Sequence, residues 1–454
     1  MTSFFTRDAL LADGWAKDVR IDVDSDGNIV DAKVGAAAEG GTTLAGPVLP
    51  GMANLHSHAF QRAMAGLTEV RGAPDDDFWS WRELMYRFVQ RLTPEQAQTV
   101  ARHLYIEMLK HGYTAVGEFH YVHNDPEGKA YADPSTMLLA HHAAAKQAGI
   151  AITLLPSLYA WSNFGKQVLQ PRQRRFDSSP ATILRMLEQI QEIASQDIVA
   201  GVAPHSLRAV DPEGLKELLE GLKKINPKAP VHIHAAEQTR EVDECVAAFG
   251  KRPVQWLLEN MGVDERWCLV HATHMTPEET AALAKSGATA GLCPTTEGNL
   301  GDGIFPLLSY RAVGGRYGIG GDSHVSRDPA EELRLLEYAQ RLTARRRNLV
   351  VGARTPAVGT TLWLEAAAGG KALGRGMGAI APGLRADLVV LDGTHPDLAS
   401  RSGDAIANAL IFSGATNLVR DVMMGGVWAI REGRHAHEGV AAEAYKRALA
   451  GLLA

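Results

Sequence analysis

Apolar and polar positions along this chain change their period twice. Over residues 1–48 the period is that of β-structure. Val19-Arg20-Ile21-Asp22-Val23 alternates, Asp26-Gly27-Asn28 turns, and Ile29-Val30 resumes. From Val48 onward short apolar runs take over. One climbs to His56, and others cover 115–119, 152–157, 198–203, 231–234, 268–271, 289–293 and 316–320. Helical spacing fills the intervals over 93–110, 135–147, 180–195, 212–224, 241–249, 253–260, 277–286 and 329–345. Thr93-Pro94 supplies an N-cap and a first-turn proline. Short apolar strands without alternation belong to parallel sheets buried on both faces. Eight strand–helix units predict an α/β chain with a (β/α)8 TIM barrel.

After a helical stretch at 361–372, β-type patterning returns. Residues 383–392 read as turn then strand, and 418–424 and 427–430 flank the hairpin signal Gly425-Gly426. We therefore expect a small β-sandwich domain built from both termini, 1–48 with 375–435. The barrel fills 49–374 and a C-terminal helix lies in 436–454. The stretch 60–90, with Trp79 and Trp81, is too long for a simple βα loop and is expected to cover the active site.

Composition narrows the class. A chain of 454 residues exceeds one ordinary domain, and 46% hydrophobic with 22% charged residues is a globular balance. A net charge of -6 gives no sign of a nucleic-acid surface. Cys245, Cys268 and Cys293 are odd in number and scattered, which argues for a reducing compartment and against a disulfide framework. No signal-peptide pattern or membrane-length apolar run is present, so a cytoplasmic enzyme is expected.

The chemistry gathers where the strands end. His56 and His58, two apart, point to one side of strand one. A bare His-x-His is weak evidence for a metal. It gains weight because strand five ends in His232-Ile-His234 with Glu237 beyond, strand six ends at His271, and strand eight ends in Gly320-Gly321-Asp322-Ser323-His324. In a barrel those ends converge on one face. His234 is nearer the strand end than His232, so His234 is read as the ligand and His232 as deeper support. His56, His58, His234 and Asp322 then form the metal set, leaving Glu237 to shuttle protons and His271 to act with Asp322. The bland alternatives are satisfied core histidines and, for Glu237, a charge at a helix N-terminus. Three imidazoles and a carboxylate fit one divalent metal, Zn²⁺ best, with Fe²⁺ or Mn²⁺ as alternatives. No lysine ends strand four, where Ala203-Pro204-His205-Ser206 stands, which favours a single metal. Such a metal lowers the pKa of a bound water to about 7.

Together these residues resemble the amidohydrolase superfamily. Cys293-Pro-Thr-Thr-Glu-Gly-Asn-Leu-Gly-Asp-Gly-Ile-Phe-Pro306 is similar to the strand-seven segment of its deaminase and chlorohydrolase branch. Gly383-Leu-Arg-Ala-Asp-Leu-Val-Val-Leu-Asp392 looks like its return into the β domain. Within that branch the chain most resembles the formimidoylglutamate deiminase family of histidine degradation. The stretches that carry this are His56-Ser-His-Ala-Phe-Gln-Arg62, Phe78-Trp-Ser-Trp-Arg-Glu83, Gly117-Glu-Phe-His-Tyr121, Ala203-Pro-His-Ser-Leu-Arg208 and Gly320-Gly-Asp-Ser-His324. The last departs from the commoner Gly-Thr-Asp of the wider branch and supports the narrower family. The resemblance implies hydrolysis of N-formimidoyl-L-glutamate to N-formyl-L-glutamate and ammonia.

That substrate is a dicarboxylate amidine, so its pocket needs fixed cations. Arg82 in the expected cover and Arg208 after strand four are placed to bind carboxylates as forks. The resemblance further implies that Gln61, Tyr121 and His205 hold substrate; loop packing is the alternative for Tyr121 and His205, and ordinary surface arginine for Arg82 and Arg208. The basic clusters 172–175 and 345–347 read as solvated faces. In the expected reaction Asp322 and His271 orient water and help remove its proton, and Glu237 carries it to the leaving nitrogen. One alternative is an aminohydrolase for guanine or a purine-like ring, which would need an aromatic platform and amide donors. The other is a non-catalytic scaffold, which would have lost metal ligands, and none is missing. A homodimer is the default assembly for such a barrel.

Overall fold

In the computed structural model, residues 1–72, 77–414 and 416–453 are described. Residues 73–76 of the expected cover, 415, and 454 of the expected C-terminal helix lie outside the described residues.

Eight parallel strand positions form the barrel. Strand one is Met52–Ser57, strand two Tyr113–His120, strand three Ala151–Leu158, strand five Val231–Ala235, strand six Trp267–His271, strand seven Thr289–Leu292 and strand eight Arg316–Ile319. Every residue of strands two and three is buried, as expected for a sheet covered by side chains within and helices outside. Strand four is split into Ile198–Ala200 and Ala203–Pro204, where the sequence suggested one run. Both pieces pair with strand three, while Val202 between them bridges to Val231 of strand five. The backbone bonds from His232 N to Val202 O and from His234 N to His205 O, both 3.0 Å, close the barrel.

The helices begin where the sequence says they must. Pro94–Lys110, Pro180–Glu192, Pro212–Ile225, Pro277–Ser286 and Pro329–Ala344 each start with proline. Each is preceded by a residue, Thr93, Ser179, Asp211, Thr276 or Asp328, whose side chain accepts a first-turn N–H. The sequence reading left Asp404–Phe412, a largely apolar helix, unassigned.

The small domain combines both ends of the chain. Its sheet runs in the order Val427–Ile430, Val419–Met424, Leu388–Leu391, Val48–Pro50, Thr2–Leu11, Gly14–Val23, Ile29–Lys33. Its two layers are halves of one continuous sheet that folds back on itself. Phe4 and Trp428, three intervening strands apart, meet edge to face at 5.8 Å. Val19, Ile21, Ile29, Val48, Leu388 and Val390 fill the space between. Val48–Pro50 still belongs to this sheet, so the chain crosses into the barrel at Gly51, where a Cβ would lie 2.4 Å from Thr114 Oγ1. The closing helix Glu438–Leu453 stacks Tyr445 on His103 of the first barrel helix at 4.5 Å.

The expected cover is a 3-10 turn, Ala59–Met64, and a helix, Phe78–Val89. Phe78, Trp81, Arg82, Met85 and Tyr86 fall on one helical face and line the barrel mouth. In the cluster 172–175, read as a solvated face, Arg172 and Arg174 are exposed, whereas Arg175 is buried and anchors this helix. Arg175 is fully buried, donating from Nε to Asn124 O at 2.8 Å and from Nη1 to Val89 O. Arg172 pairs with Glu83. The carbonyls at a helix end and in a buried loop need donors, which the arginine density alone does not reveal. Arg345, Arg346 and Arg347 are exposed, as expected.

Candidate active site

Strand one brings His56 and His58 to the mouth, and the backbone locks them to strand eight. Asp322 N donates to His56 O at 2.9 Å and His58 N to Asp322 O at 3.0 Å. Asn54 Oδ1 accepts from His56 N at 3.2 Å and Gly321 N at 3.1 Å. Glycine is needed here for space. A Cβ on Gly320 would lie 2.9 Å from His56 Cβ and N, and one on Gly321 2.6 Å from His324 Nδ1.

Four side chains converge. His56 Nε2 lies 3.1 Å from Nε2 of both His58 and His234. Asp322 Oδ1 is 3.5 Å from Nε2 of His56 and of His58. His58 Nδ1 donates to Phe119 O at 2.8 Å and His234 Nδ1 to His205 O at 2.9 Å. These bonds fix the proton on Nδ1 and leave Nε2 a lone pair. Burial lowers the pKa of His56, His58 and His234, so the rings are neutral. Lone pairs crowded at this spacing repel unless a cation lies among them. Tetrahedral zinc with bonds of about 2.1 Å would place its nitrogens roughly 3.4 Å apart. The residues fit that ion.

The expected catalytic groups sit beside this cluster. His271 Nε2 is 3.6 Å from Glu237 Oε1 and 3.7 Å from Asp322 Oδ2. Burial lowers the His271 pKa, but Glu237, Glu297 and Asp322 outweigh it and hold the ring well above the ordinary histidine value. Burial raises Glu237 to about 7, with Asp322 and Glu241 adding to the effect. The backbone is strained here, with non-glycine φ of 53° at Ala236, 65° at His271, 47° at Ala272, 48° at Asp322 and 58° at His324. Such conformations cost about 1–3 kcal/mol each and gather where a fold must aim side chains.

All five expected substrate residues line one cavity with His58, His234, Glu237 and Asp322. Gln61 Nε2 donates to Tyr121 Oη at 2.9 Å. Arg82 comes from the cover helix and Arg208 from the loop after strand four, and the two lie close together. Arg82 Nε and Nη1 and Arg208 Nη1 are buried with no hydrogen-bond partner among the described residues. Burial and the neighbouring Arg208 lower the Arg82 pKa from the usual arginine range. Trp79 carries Arg82 at 4.5 Å and Arg208 at 5.8 Å from its ring centre.

Other histidines support the site. His232 Nε2 meets Ala372 O at 2.8 Å on the barrel floor, and His324 Nε2 meets Ser57 Oγ at 2.8 Å. His274, which the sequence left without a role, bonds Asp302 O through Nε2 at 2.8 Å. Sequence reasoning missed several partners. Glu118, raised to about 7 by burial, accepts from Ser57 Oγ at 2.5 Å, Tyr105 Oη at 2.9 Å and Ala59 N at 2.9 Å. Glu297 meets His271 Nδ1, and Asp302 reaches toward Glu237 and His271. The helix Phe78–Val89 and its aromatic wall were not read from the sequence, although the helical spacing of Phe78, Trp81, Arg82, Met85 and Tyr86 could have signalled them. Glu118, Glu297 and Asp302 carried no comparable signal.

This barrel, with a histidine-rich cluster at its strand ends that could hold a metal, places the chain in a class of hydrolases. The chain belongs to the amidohydrolase family, whose model matches residues 48–429. Residues 1–45 match the N-terminal domain of formimidoylglutamate deiminase HutF. Formimidoylglutamate deiminase of Pseudomonas aeruginosa is 53% identical over 457 residues, covering 100% of both chains. The crystal structure of an amidohydrolase from Brucella melitensis, 46% identical, superimposes with a TM-score of 0.94 over 100% of both chains. An adenosine deaminase structure from Xanthomonas campestris with bound zinc shares the fold, with a TM-score of 0.82 at 20% identity over 100% of this chain and 98% of that one.

Proposed function

We propose that this enzyme is a formimidoylglutamate deiminase, hydrolysing N-formimidoyl-L-glutamate to N-formyl-L-glutamate and ammonia in histidine degradation. The observation that carries this reading is the set of buried guanidinium N–H groups, Arg82 Nε and Nη1 and Arg208 Nη1, without hydrogen-bond partners among the described residues at the cavity beside the histidine cluster. Buried guanidinium N–H donors left without acceptors are costly unless the substrate supplies carboxylates. A guanine-like ring would leave them unpaired. The full-length likeness to the Pseudomonas aeruginosa deiminase supports the same substrate.

His56, His58, His234 and Asp322 are the metal ligands in this reading, and zinc is the ion. Zinc supplies Lewis-acid activation of water at neutral pH. Arg82 and Arg208 hold the carboxylates, and Gln61, Tyr121 and His205 fix the body of the substrate. His271 donates from Nε2 and orients the attacking water with Asp322. Glu237, poised near 7, takes the proton and delivers it to the leaving nitrogen. Addition to the formimidoyl carbon and loss of ammonia then leave the formyl product. The working form is a cytoplasmic homodimer. Its three cysteines are buried and free, which suits a reducing compartment.

The test is ammonia release by the zinc-loaded protein from N-formimidoyl-L-glutamate, with guanine as a control. Arg82→Ala and Arg208→Ala should each lose about 10–100-fold in kcat/KM, the size of one or two charged hydrogen bonds. Turnover of guanine, or arginine variants as active as the parent, would remove this reading.

A further inference from the structure

The helix after strand seven, Pro294–Leu300, points a carboxylate at the back of His271. Glu297 Oε1 lies 3.2 Å from His271 Nδ1 and accepts Cys293 N–H at 2.9 Å. Oε1 thus accepts the Cys293 N–H and, as a carboxylate oxygen, is placed to accept a His271 Nδ1–H as well. The opposite nitrogen, Nε2, is buried, has no hydrogen-bond partner among the described residues and faces Glu237 and Asp322. Glu297 is buried, and its helix is attached to the end of strand eight. Thr296 Oγ1, next in the chain, donates to Gly321 O at 3.1 Å. His271 is the last residue of its strand and has a left-handed φ of 65°.

We propose that Glu297 is the positioning residue of His271. Its carboxylate pins the ring and holds the Nδ1 proton, which directs Nε2 at Glu237, Asp322 and the attacking water. The relation is that of a buried carboxylate to a catalytic imidazole, where the outer partner holds the Nδ1 proton and the ring's orientation without touching substrate. This inference rests on the proposed deiminase reaction only for its kinetic arm.

The experiment uses the full-length zinc-loaded protein and the variants Glu297→Leu and Glu297→Gln. Zinc stoichiometry, kcat and KM are measured, and the His271 ring nitrogens are followed by 15N NMR, assigned against His271→Gln. With Glu297→Leu we expect kcat to fall at least 100-fold, KM to stay within threefold, zinc to stay at the parent stoichiometry, and the His271 Nδ1–H signal to change. Glu297→Gln keeps an acceptor oxygen and should recover at least tenfold of that loss while remaining below the parent. Three results would overturn the proposal: Glu297→Leu within threefold of the parent in kcat, an unchanged His271 nitrogen signal, or Glu297→Gln as impaired as Glu297→Leu. If Glu297→Leu does not accumulate as zinc-loaded protein, Glu297→Gln decides. A kcat below one third of the parent at constant KM supports the proposal, and a parental kcat overturns it. Parent turnover tests the substrate, whereas the nitrogen signal does not depend on it.

Discussion

Charge at the barrel mouth is set residue by residue through burial. Three imidazoles are kept neutral and offer lone pairs, while His271, one strand away, is pushed the other way by three carboxylates. Glu237 lies between, near 7, where one group can both accept and donate a proton at neutral pH. Glu237→Gln should therefore retain zinc and lose about 10²–10⁴-fold in kcat; full turnover with zinc bound would remove Glu237 from proton transfer. Asp302 makes a prediction about stability. Burial, then Glu237, raises it to about 9, whereas an aspartate in the unfolded chain titrates near 4. Between those values the folded state binds the extra proton, so this site's contribution to stability falls as pH rises from about 4 to 9. Asp302→Asn removes that penalty. Its thermal midpoint should exceed the parent's at pH 8, with the gap closing toward pH 4, as calorimetry at fixed scan rate can establish.

The elements place those residues through contacts that tolerate little change. Strand one and the Gly320-Gly321 corner approach so closely that any side chain on Gly320 meets His56. Gly320→Ala should shift the end of strand one and weaken zinc binding about 10–100-fold, as when a ligand's supporting shell is disturbed. Competition with a chromophoric chelator measures this, and parental affinity would show that the corner can yield. The cover helix Phe78–Val89 turns its aromatic face and Arg82 to the cavity and is tied down by Arg175 and Arg172 at its far end. The 3.6-residue spacing announces that face, but not what it covers, because the partner surface comes from strands two to five.

Across the whole molecule, the proposed ligands come from strands one, five and eight, so a metal held there would also crosslink the barrel. Chelation should lower the thermal midpoint by several degrees, and added zinc should restore it, since a ligand that binds only the folded state stabilises it by mass action. An unchanged midpoint after verified zinc removal would show that the barrel closes without it. The small sheet draws on both ends of the chain and feeds strand one directly from Val48–Pro50, so the position of His56 depends on residues near the C-terminus. Trp363 Nε1, donating to Pro50 O at 3.0 Å, adds a second hold on that crossing.

The sequence by itself determined the barrel, the mixed-terminus β domain, the helix starts and the residues at the strand ends. Those features are local: an apolar run, a cap before proline, a histidine two residues from another. Arg82 and Arg208 were marked by their places in the chain, and Gln61, Tyr121 and His205 by the family resemblance; all five meet in one cavity. Only the tertiary structure decided what stands behind them. Glu118 beneath Ser57, Glu297 behind His271, Asp302 beside Glu237 and Arg175 under the cover gain their roles from neighbours tens of residues away. A buried charge carries no periodic signal, and its partner is fixed by how the strands close, which no single stretch of the chain specifies. The break in strand four has the same origin, since Val202 leaves strand three only because strand five is there to receive it.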